Sequence, residues 1–277
     1  MSISARILVV DDDPAIRDVL ARGLGNAGYQ VTVAQDGRQA LSRLRERDFQ
    51  VVISDVKMPN LEGLETLAAI KKINPDVEVI MVTGQASVCD AVNAMKLGAY
   101  DFIQKPLELD VILALVEKAL EKRELKAVVA LHEISAALFQ TIQLDALLAI
   151  AAKSTRALFR ANDVLISLSD EGKLGVAAAL GLEDEERLKS RLSLMERVSR
   201  ETSALNPILE NPMIMVCPMR VDGRTLGFLS VSRTVANDDF IGADLRHMAV
   251  LSSRIAQAIG NAKAFQSLRV AAGRARP

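Results

Sequence analysis

Short aliphatic runs alternate with longer amphipathic segments over about the first 120 residues of the chain. The apolar runs lie at 7–10, 30–34, 50–55, 77–83 and 100–104. Segments whose apolar residues recur every three or four positions lie at 14–27, 37–47, 63–73, 87–96 and 107–120. Strands separated by helices of this length are typical of βαβ units. The pattern therefore predicts an α/β fold with a flavodoxin-like, five-stranded parallel sheet covered on both faces.

Polar residues follow four of these predicted strands. Asp11 and Asp12 end the first strand, Asp55 the third and Thr83 the fourth, and Lys105 follows the fifth. Because the carboxyl ends of parallel strands meet at one edge of a sheet, we expect these side chains to lie together. Carboxylate oxygens suit Mg²⁺, and one carboxylate could accept a phosphoryl group while the hydroxyl and ammonium groups meet its oxygens. The sequence thus predicts magnesium-dependent phosphoryl transfer.

Some of these positions also have ordinary structural explanations. Asp13 precedes Pro14, a pair that fits a helix N-cap followed by proline at the first helical position. Asp55 could begin the turn formed with Pro59 and Gly63. The cap accounts fully for Asp13. For the other residues, separate explanations do not account for their common location at one edge of the predicted sheet.

Four motifs in order, VVDDDP, SDVKMPNLEG, MVTG and FIQKP, resemble the receiver domain of bacterial two-component response regulators. The resemblance extends from residue 5 to about 120, and we place this domain at 1–121. It implies that Asp55 is the phosphoacceptor, loaded by a sensor histidine kinase. It also implies that Asp11 and Asp12 bind Mg²⁺ together with Asp55 and the backbone carbonyl of Lys57.

The same resemblance assigns roles beyond the metal. Lys105 would bridge to the phosphoryl group, and Thr83 and Phe102 would be the switch pair that rearranges on phosphorylation. Phe102 stands where the family more often has Tyr. A receiver supports only its own phosphotransfer and autodephosphorylation, so the chain is not expected to be an enzyme acting on another substrate.

An enzyme is the alternative interpretation. Asp11-x-Asp13 after the first strand imitates the motif of haloacid-dehalogenase-type phosphatases, in which Asp11 would be the nucleophile. That family has Thr or Val two residues after the second Asp, where this chain has Ala15. A third interpretation, a structural adaptor with a degenerate receiver, predicts no phosphorylation at all.

The segment from Val111 to Thr141 contains no glycine or proline and is predicted to be one long helix, with 122–141 as a linker. Five apolar residues fall near heptad spacing: Leu120, Ala127, Leu131, Ile134 and Leu138. This spacing predicts a coiled-coil-like contact in a homodimer, formed together with the C-terminal helix.

The remainder, 142–268, reads as an α+β module with an antiparallel sheet. Its predicted strands are 164–170, 174–181, 213–221 and 224–233, and its predicted helices are 143–160, 183–203 and 241–268. Asp222-Gly223 is a hairpin signal. The stretches ISAALFQTIQLDALL, VCPMRVDGRTLGFLSVSR and DDFIGADLRHMAVLSSRIAQAIGNA resemble a GAF domain, which implies a sensory or dimerisation module whose ligand is unknown. The cyclic-nucleotide signature is not met, and the basic tail 269–277 is expected to be disordered.

The composition limits the classes of binding partner that can be expected. A net charge of −1, aromatics at 3% and no Trp give no reason to expect nucleic acid. Two cysteines and two histidines do not suggest a zinc site. The sequence shows no leader and no apolar run long enough to cross a membrane, so we expect a cytoplasmic protein. Because no helix-turn-helix or cyclase-like motif follows the receiver, the output is expected to act through a protein partner.

Overall fold

A computed structural model describes residues 5–84, 87–170, 172–201, 206–234 and 239–274. The chain divides into two compact units, with the division along the chain between Lys126 and Ala127. Each unit contains its own five-stranded sheet. Among the described residues, none of the helices combines the length and the apolar character needed to span a bilayer.

The first unit is an alternating α/β fold. Its elements are β1 (Arg6–Val10), α1 (Pro14–Asn26), β2 (Gln30–Ala34), α2 (Gly37–Glu46), β3 (Val51–Asp55), α3 (Gly63–Ile73), β4 (Glu78–Thr83), α4 (Val88–Lys96), β5 (Asp101–Gln104) and the beginning of α5 (Leu109–Phe139). The strands are all parallel, in the order β2-β1-β3-β4-β5. The predicted flavodoxin-like sheet is confirmed.

Burial on both faces of this sheet explains its continuous aliphatic strands. Along β1, Ile7 and Val9 face a core completed by α1 and α5, whereas Leu8 and Val10 face a second core completed by α2, α3 and α4. Both sides of the strand are therefore removed from water, as expected for a parallel sheet.

The second unit is an α+β fold. It contains α6 (Leu144–Leu158), β6 (Asp163–Asp170), β7 (Lys173–Leu180), α7 (Glu185–Glu201), β8 (Ile208–Asn211), β9 (Ile214–Val221), β10 (Arg224–Ser232) and α8 (Gly242–Arg274). The strands are antiparallel, in the order β7-β6-β10-β9-β8. Helices α6 and α8 share one apolar core with the sheet, and α7 shares the other.

The hairpin between β9 and β10 forms where the sequence predicts it. Asp222 has φ 49° and Gly223 has φ 77°. Two consecutive residues with positive φ are the hallmark of a type I′ turn, whose twist matches that of the flanking strands.

Two parts of the second unit differ from the sequence expectation. The edge strand β8 was not predicted, because its four residues offer too short a pattern to be recognised. The expectation of a disordered tail at 269–277 is wrong over its first part, since α8 continues to Arg274. The alanine-rich sequence there favours helix. Residues 275–277 lie outside the described residues.

The predicted heptad seam on α5 is also wrong. Leu131 and Leu138 are buried in the core that α6 and α8 share with the sheet, and Ile134 packs against the same core. A seven-residue period reports that one helix face is apolar, but it does not say whether that face meets its own chain or another. The exposed large apolar side chains on this part of the helix are instead Leu125, Val128, Val129 and Phe139.

Candidate functional site

Three carboxylates meet at the carboxyl edge of the parallel sheet. Asp11 follows β1, and Asp12 follows Asp11, while Asp55 ends β3. One carboxylate oxygen from each lies within 4.8 Å of the others, and we call these three residues the acidic group. Asp11 is 2% and Asp55 5% exposed, whereas Asp12 is open to solvent. The structure thus brings together the acidic residues that the sequence singled out.

Lys105 enters the acidic group from the loop after β5. Its Nζ donates to Asp11 Oδ2 at 2.8 Å and to Asp55 Oδ2 at 2.5 Å. Burial alone would lower the pKa of Lys105, but its hydrogen bonds to both carboxylates outweigh burial, and the pKa is raised. The ammonium is therefore held in its charged form, where it neutralises one of three carboxylate charges.

Asp11 is fixed through both its side chain and its backbone. Burial raises the pKa of its carboxyl group, although the contact with Lys105 and a hydrogen bond from the Asp13 N–H oppose the rise. That N–H lies 2.9 Å from Asp11 Oδ1. Arg17 donates from Nη1 to the backbone oxygen of Asp11 at 2.6 Å. Sequence reasoning missed Arg17, since an arginine on an amphipathic helix is ordinarily a surface residue.

Asp13 has the capping role predicted for it. It is the N-cap of α1, and its carboxylate accepts from the Ala15 N–H at 2.8 Å, with Pro14 in the first turn. The helix cap accounts for this carboxylate without any catalytic role. This observation weighs against the alternative interpretation with Asp11 as nucleophile.

The loop after Asp55 packs closely against that residue. The Lys57 N–H donates to Asp55 Oδ1 at 3.0 Å, which orients the carboxylate. A Cβ atom at Gly63 would lie 2.2 Å from the backbone oxygen of Asp55, so a larger residue there would displace the site. The sequence indicated only a turn at Gly63. The metal-binding role of the Lys57 carbonyl stays a prediction.

Thr83 and Phe102 lie on adjacent strands, β4 and β5. Met81 is the register partner of Phe102 and Gln104 that of Thr83, so the two side chains are diagonal neighbours on one face of the sheet. Thr83 is buried and Phe102 partly buried. The backbone oxygen of Thr83 accepts from the Lys105 N–H at 2.7 Å, which ties β4 to the loop carrying that lysine. Their rearrangement on phosphorylation stays a prediction.

Sequence reasoning also missed a second anchor of the loop that follows Asp55. Asn60, with φ 70°, donates from Nδ2 to Asp36 Oδ2 at 3.0 Å. Asp36 also caps α2, with its Oδ1 accepting from the Gln39 N–H at 2.8 Å. These hydrogen bonds, chiefly that from Gln39, lower the pKa of Asp36. An ionised Asp36 thus holds the loop that leaves Asp55.

The second unit has a cleft of about 730 Å³ between α7 and the β8–β9 edge of the sheet. Three arginines line it, and each is paired: Arg187 and Arg191 contact Asp163, and Arg197 contacts Glu210. Because these cations have partners within the chain, the cleft singles out no ligand.

Comparison with known proteins assigns both units. Residues 7–117 match the family model described as a response regulator receiver domain, and residues 143–261 match that of a GAF domain. The transcriptional regulatory protein ZraR of Escherichia coli O157:H7 is 46% identical over 41% of this chain. FixJ of Bradyrhizobium diazoefficiens, also a transcriptional regulatory protein, is 41% identical over 45% of this chain.

The aligned part is a limited share of these relatives, 26% of ZraR and 60% of FixJ. Among solved structures, a response regulator receiver domain protein (CheY-like) from Methanospirillum hungatei JF-1 is 34% identical, with a TM-score of 0.44. It is matched over 98% of its length by 44% of this chain. The two family models and the sequence identities carry the assignment. The chain therefore contains a receiver domain of the response regulator family, followed by a GAF domain.

Proposed function

We propose that this chain is a phosphorylation-dependent switch in which Asp55 accepts a phosphoryl group from a sensor histidine kinase. Receiver domains interact with histidine kinases, and relatives of this one are response regulators. The observation that supports the proposal most is the acidic group with Lys105 at the carboxyl edge of the sheet. Negative charge exceeds positive charge there, although two of the carboxylates are buried.

The donor set of this edge fits Mg²⁺. Its three residues offer only carboxylate oxygens, the ligand type that this hard cation prefers. Asp11, Asp12 and Asp55 would hold the ion, with the carbonyl of Lys57 as a further ligand. When bound, the ion would neutralise carboxylate and phosphoryl charge, which is what phosphoryl transfer requires of its surroundings.

The protein's own groups then position the reacting atoms. One Asp55 oxygen forms the bond to phosphorus while the phosphorus–nitrogen bond of the donor histidine breaks, and the nitrogen keeps the electron pair. The Lys57 N–H orients the carboxylate before transfer. Lys105 is charged and already within reach, so it can move from Asp55 to the new phosphoryl oxygens. The Thr83 hydroxyl would meet another of these oxygens and draw Phe102 with it.

The chemistry is confined to the receiver itself. Phosphotransfer to Asp55 and its later hydrolysis require no second substrate, so we propose that the chain is not an enzyme in the usual sense. The output is relayed through α5 to the GAF domain, which acts as a sensory, output or dimerisation module with a downstream protein partner.

We propose a homodimer built on exposed apolar positions of the linker and C-terminal helices. Val128 and Phe139 on α5 and Phe265 on α8 are exposed. Cysteine at Val128 should form a disulfide between protomers, whereas cysteine at Leu131 should not, because that side chain is buried in its own chain. Equal cross-linking at the two positions, or no cross-linking at either, would rule out this helix face as the dimer contact.

The phosphorylation site is tested by incubating the protein with Mg²⁺ and acetyl phosphate and measuring its mass. We expect one adduct of about 80 Da, a single phosphoryl group. Asp55→Asn should abolish it, while Asp13→Asn, which removes a neighbouring charge but keeps a side chain able to cap the helix, should retain it. An adduct that persists in Asp55→Asn but is lost in Asp11→Asn would support the phosphatase interpretation instead. No adduct in the unaltered protein would favour a degenerate receiver.

A further inference from the structure

Helix α5 changes its mode of contact with the receiver partway along its length. Ile112, Val116 and Ala119 are buried against the sheet. Beyond them the contacts with the sheet's loops are ionic, made by Lys122, Arg123 and Lys126. These three residues belong to the segment that the sequence identifies as the beginning of the linker, and they extend the attachment of the helix by more than a turn.

The partner of the two lysines is a buried carboxylate. Glu78 is the first residue of β4, at the amino edge of the sheet, and its side chain is 1% exposed. Lys126 Nζ donates to Glu78 Oε1 at 2.5 Å, and Lys122 Nζ lies 3.5 Å from Oε2. Both lysine side chains are 47% exposed. They therefore lie at the surface of the receiver and cover the buried Glu78 carboxylate from the solvent side.

Arg123 adds contacts to the loops before β3 and β4. It donates to the backbone oxygen of Asp76 at 3.0 Å and lies 3.7 Å from the carboxylate of Asp48. Asp48 is itself held by Asn74, whose Nδ2 donates to it at 2.6 Å. Arg123 therefore reaches both loops, the one that leads into β3 and the one that leads into β4.

Electrostatics makes Glu78 the centre of this arrangement. A buried carboxylate that loses its cations is left uncompensated, which is strongly unfavourable. Lys122 and Lys126 are four residues apart on one helix face and would repel each other without it. Lys71, whose pKa burial lowers, donates nearby to the Val77 backbone oxygen at 2.5 Å. Removing Glu78 would thus leave several lysines at one edge without their shared carboxylate.

The arrangement also borders the strand that carries the proposed switch residue. Lys122 Nζ lies 4.9 Å from the centre of the Tyr100 ring, and Tyr100 directly precedes β5. Phe102 is the second residue of that strand. A movement of β5 therefore reaches the start of the linker through the chain itself and through this cation–π contact.

We propose that Glu78, with Lys122 and Lys126, is a positioning latch that holds the first turns of the linker helix against the receiver. With the latch closed, a movement of β5 and α5 is passed along the helix. With the latch open, a hinge within 120–126 absorbs it. The anchoring stands on the contacts alone, whereas its use in signalling rests on the proposed function.

The anchoring is tested by hydrogen exchange of the backbone amides of 120–126 in the full chain. In Glu78→Gln we expect these amides to exchange roughly tenfold faster, since local opening governs their protection. Glu121→Gln removes the same charge from an exposed position on this helix and should leave exchange unchanged. Should Glu78→Gln fail to fold by circular dichroism, the surface double variant Lys122→Gln/Lys126→Gln decides. Unaltered exchange in the folded variant tested would overturn the latch.

The signalling use is tested in the same variants after treatment with acetyl phosphate and Mg²⁺. In the unaltered protein, phosphorylation should change exchange within 127–139. In Glu78→Gln, at an equal amount of adduct, that change should fall by at least half. A full response in the variant, or no response in a phosphorylated unaltered protein, overturns the relay. Absence of any adduct would instead count against the proposed function and leave the anchoring result intact.

Discussion

Each unit buries an aspartate at the end of a strand, but the charges around the two residues differ. Asp55, in the receiver, is surrounded by Asp11, Asp12 and Lys105, so that negative charge is in excess. Asp163, at the start of β6 in the GAF domain, has no exposed side-chain surface and contacts two arginines.

The surroundings of Asp163 form a closed structural network. Arg191 Nη1 lies 3.0 Å from Asp163 Oδ1, and Arg187 Nη2 donates to Oδ2 at 3.1 Å. The Ser232 hydroxyl also donates to Oδ2, at 2.5 Å. Burial lowers the pKa of Arg191 despite its pairing with Asp163. Positive charge is in excess here, so this aspartate is a counter-ion to the arginines, whereas at the receiver site carboxylates are in excess.

The largest expected effect is on the stability of the GAF domain. Asp163→Asn leaves the buried Arg191 without a counter-ion and should lower the free energy of unfolding by about 3–5 kcal/mol. Asp170→Asn, at the exposed end of the same strand, should change it by less than about 0.5 kcal/mol. Urea unfolding of both variants measures the difference. Similar midpoints for the two would contradict the view of Asp163 as a structural counter-ion.

A smaller loss of stability is expected when the receiver site is crowded. Gly63→Ala places a methyl group against the backbone of Asp55 and should cost about 2–4 kcal/mol through displacement of the loop. Gly25→Ala, in α1, has open space around the added methyl and should be neutral or stabilise by up to about 1 kcal/mol. Denaturant unfolding compares them. Unchanged stability of the Gly63→Ala protein would show that the loop can move without cost.

Asp55→Asn is expected to have little effect on stability without metal, in contrast to Asp163→Asn. Lys105 keeps its contact with Asp11, and one repelling carboxylate is gone, so the change should be within about 1 kcal/mol. Excess Mg²⁺ should raise the melting temperature of the unaltered protein, because a ligand that binds only the folded state stabilises it. Thermal melts should show no such rise for Asp55→Asn. A loss as large as that of Asp163→Asn would erase the distinction between the two aspartates.

The smallest expected effect is a difference in reactivity between the two cysteines. Cys89 is exposed on α4, whereas Cys217 is buried, and burial raises its pKa to about 11. Since the thiolate is the reactive form, iodoacetamide at pH 8 should modify Cys89 alone. Mass spectrometry of peptides reports the sites. Modification of Cys217 in the native protein would mean that the GAF core opens readily.

The receiver site was largely predictable from the sequence, because the geometry of a parallel sheet carries distant residues to one edge. Asp11, Asp55 and Lys105 lie far apart along the chain, yet each follows a recognisable strand. The capping role of Asp13 was predictable from a local rule. Arg17 and Asn60 were not, because their partners are a backbone oxygen and a cap that only the folded chain brings near them.

The linker shows where such reasoning stops. The periodicity of Leu131 and Leu138 identified an apolar helix face, but the partner of that face is decided by packing, and it is the GAF core. Similarly, nothing along the sequence connects Lys122 and Lys126 with Glu78, which lies more than forty positions earlier. Local patterns thus predict which faces exist, and long-range contacts determine what they meet.

The unbroken helix from Leu109 to Phe139 has a geometric consequence of its own. Each residue of an α-helix advances the chain by about 1.5 Å and turns it by about 100°. Deleting one residue between the latch and the GAF domain would therefore shorten the connection very little but would redirect everything that follows by more than a quarter turn. Inserting seven residues would nearly restore the original direction at a greater distance. The number of residues in this helix therefore sets the direction of its last turns as well as its length.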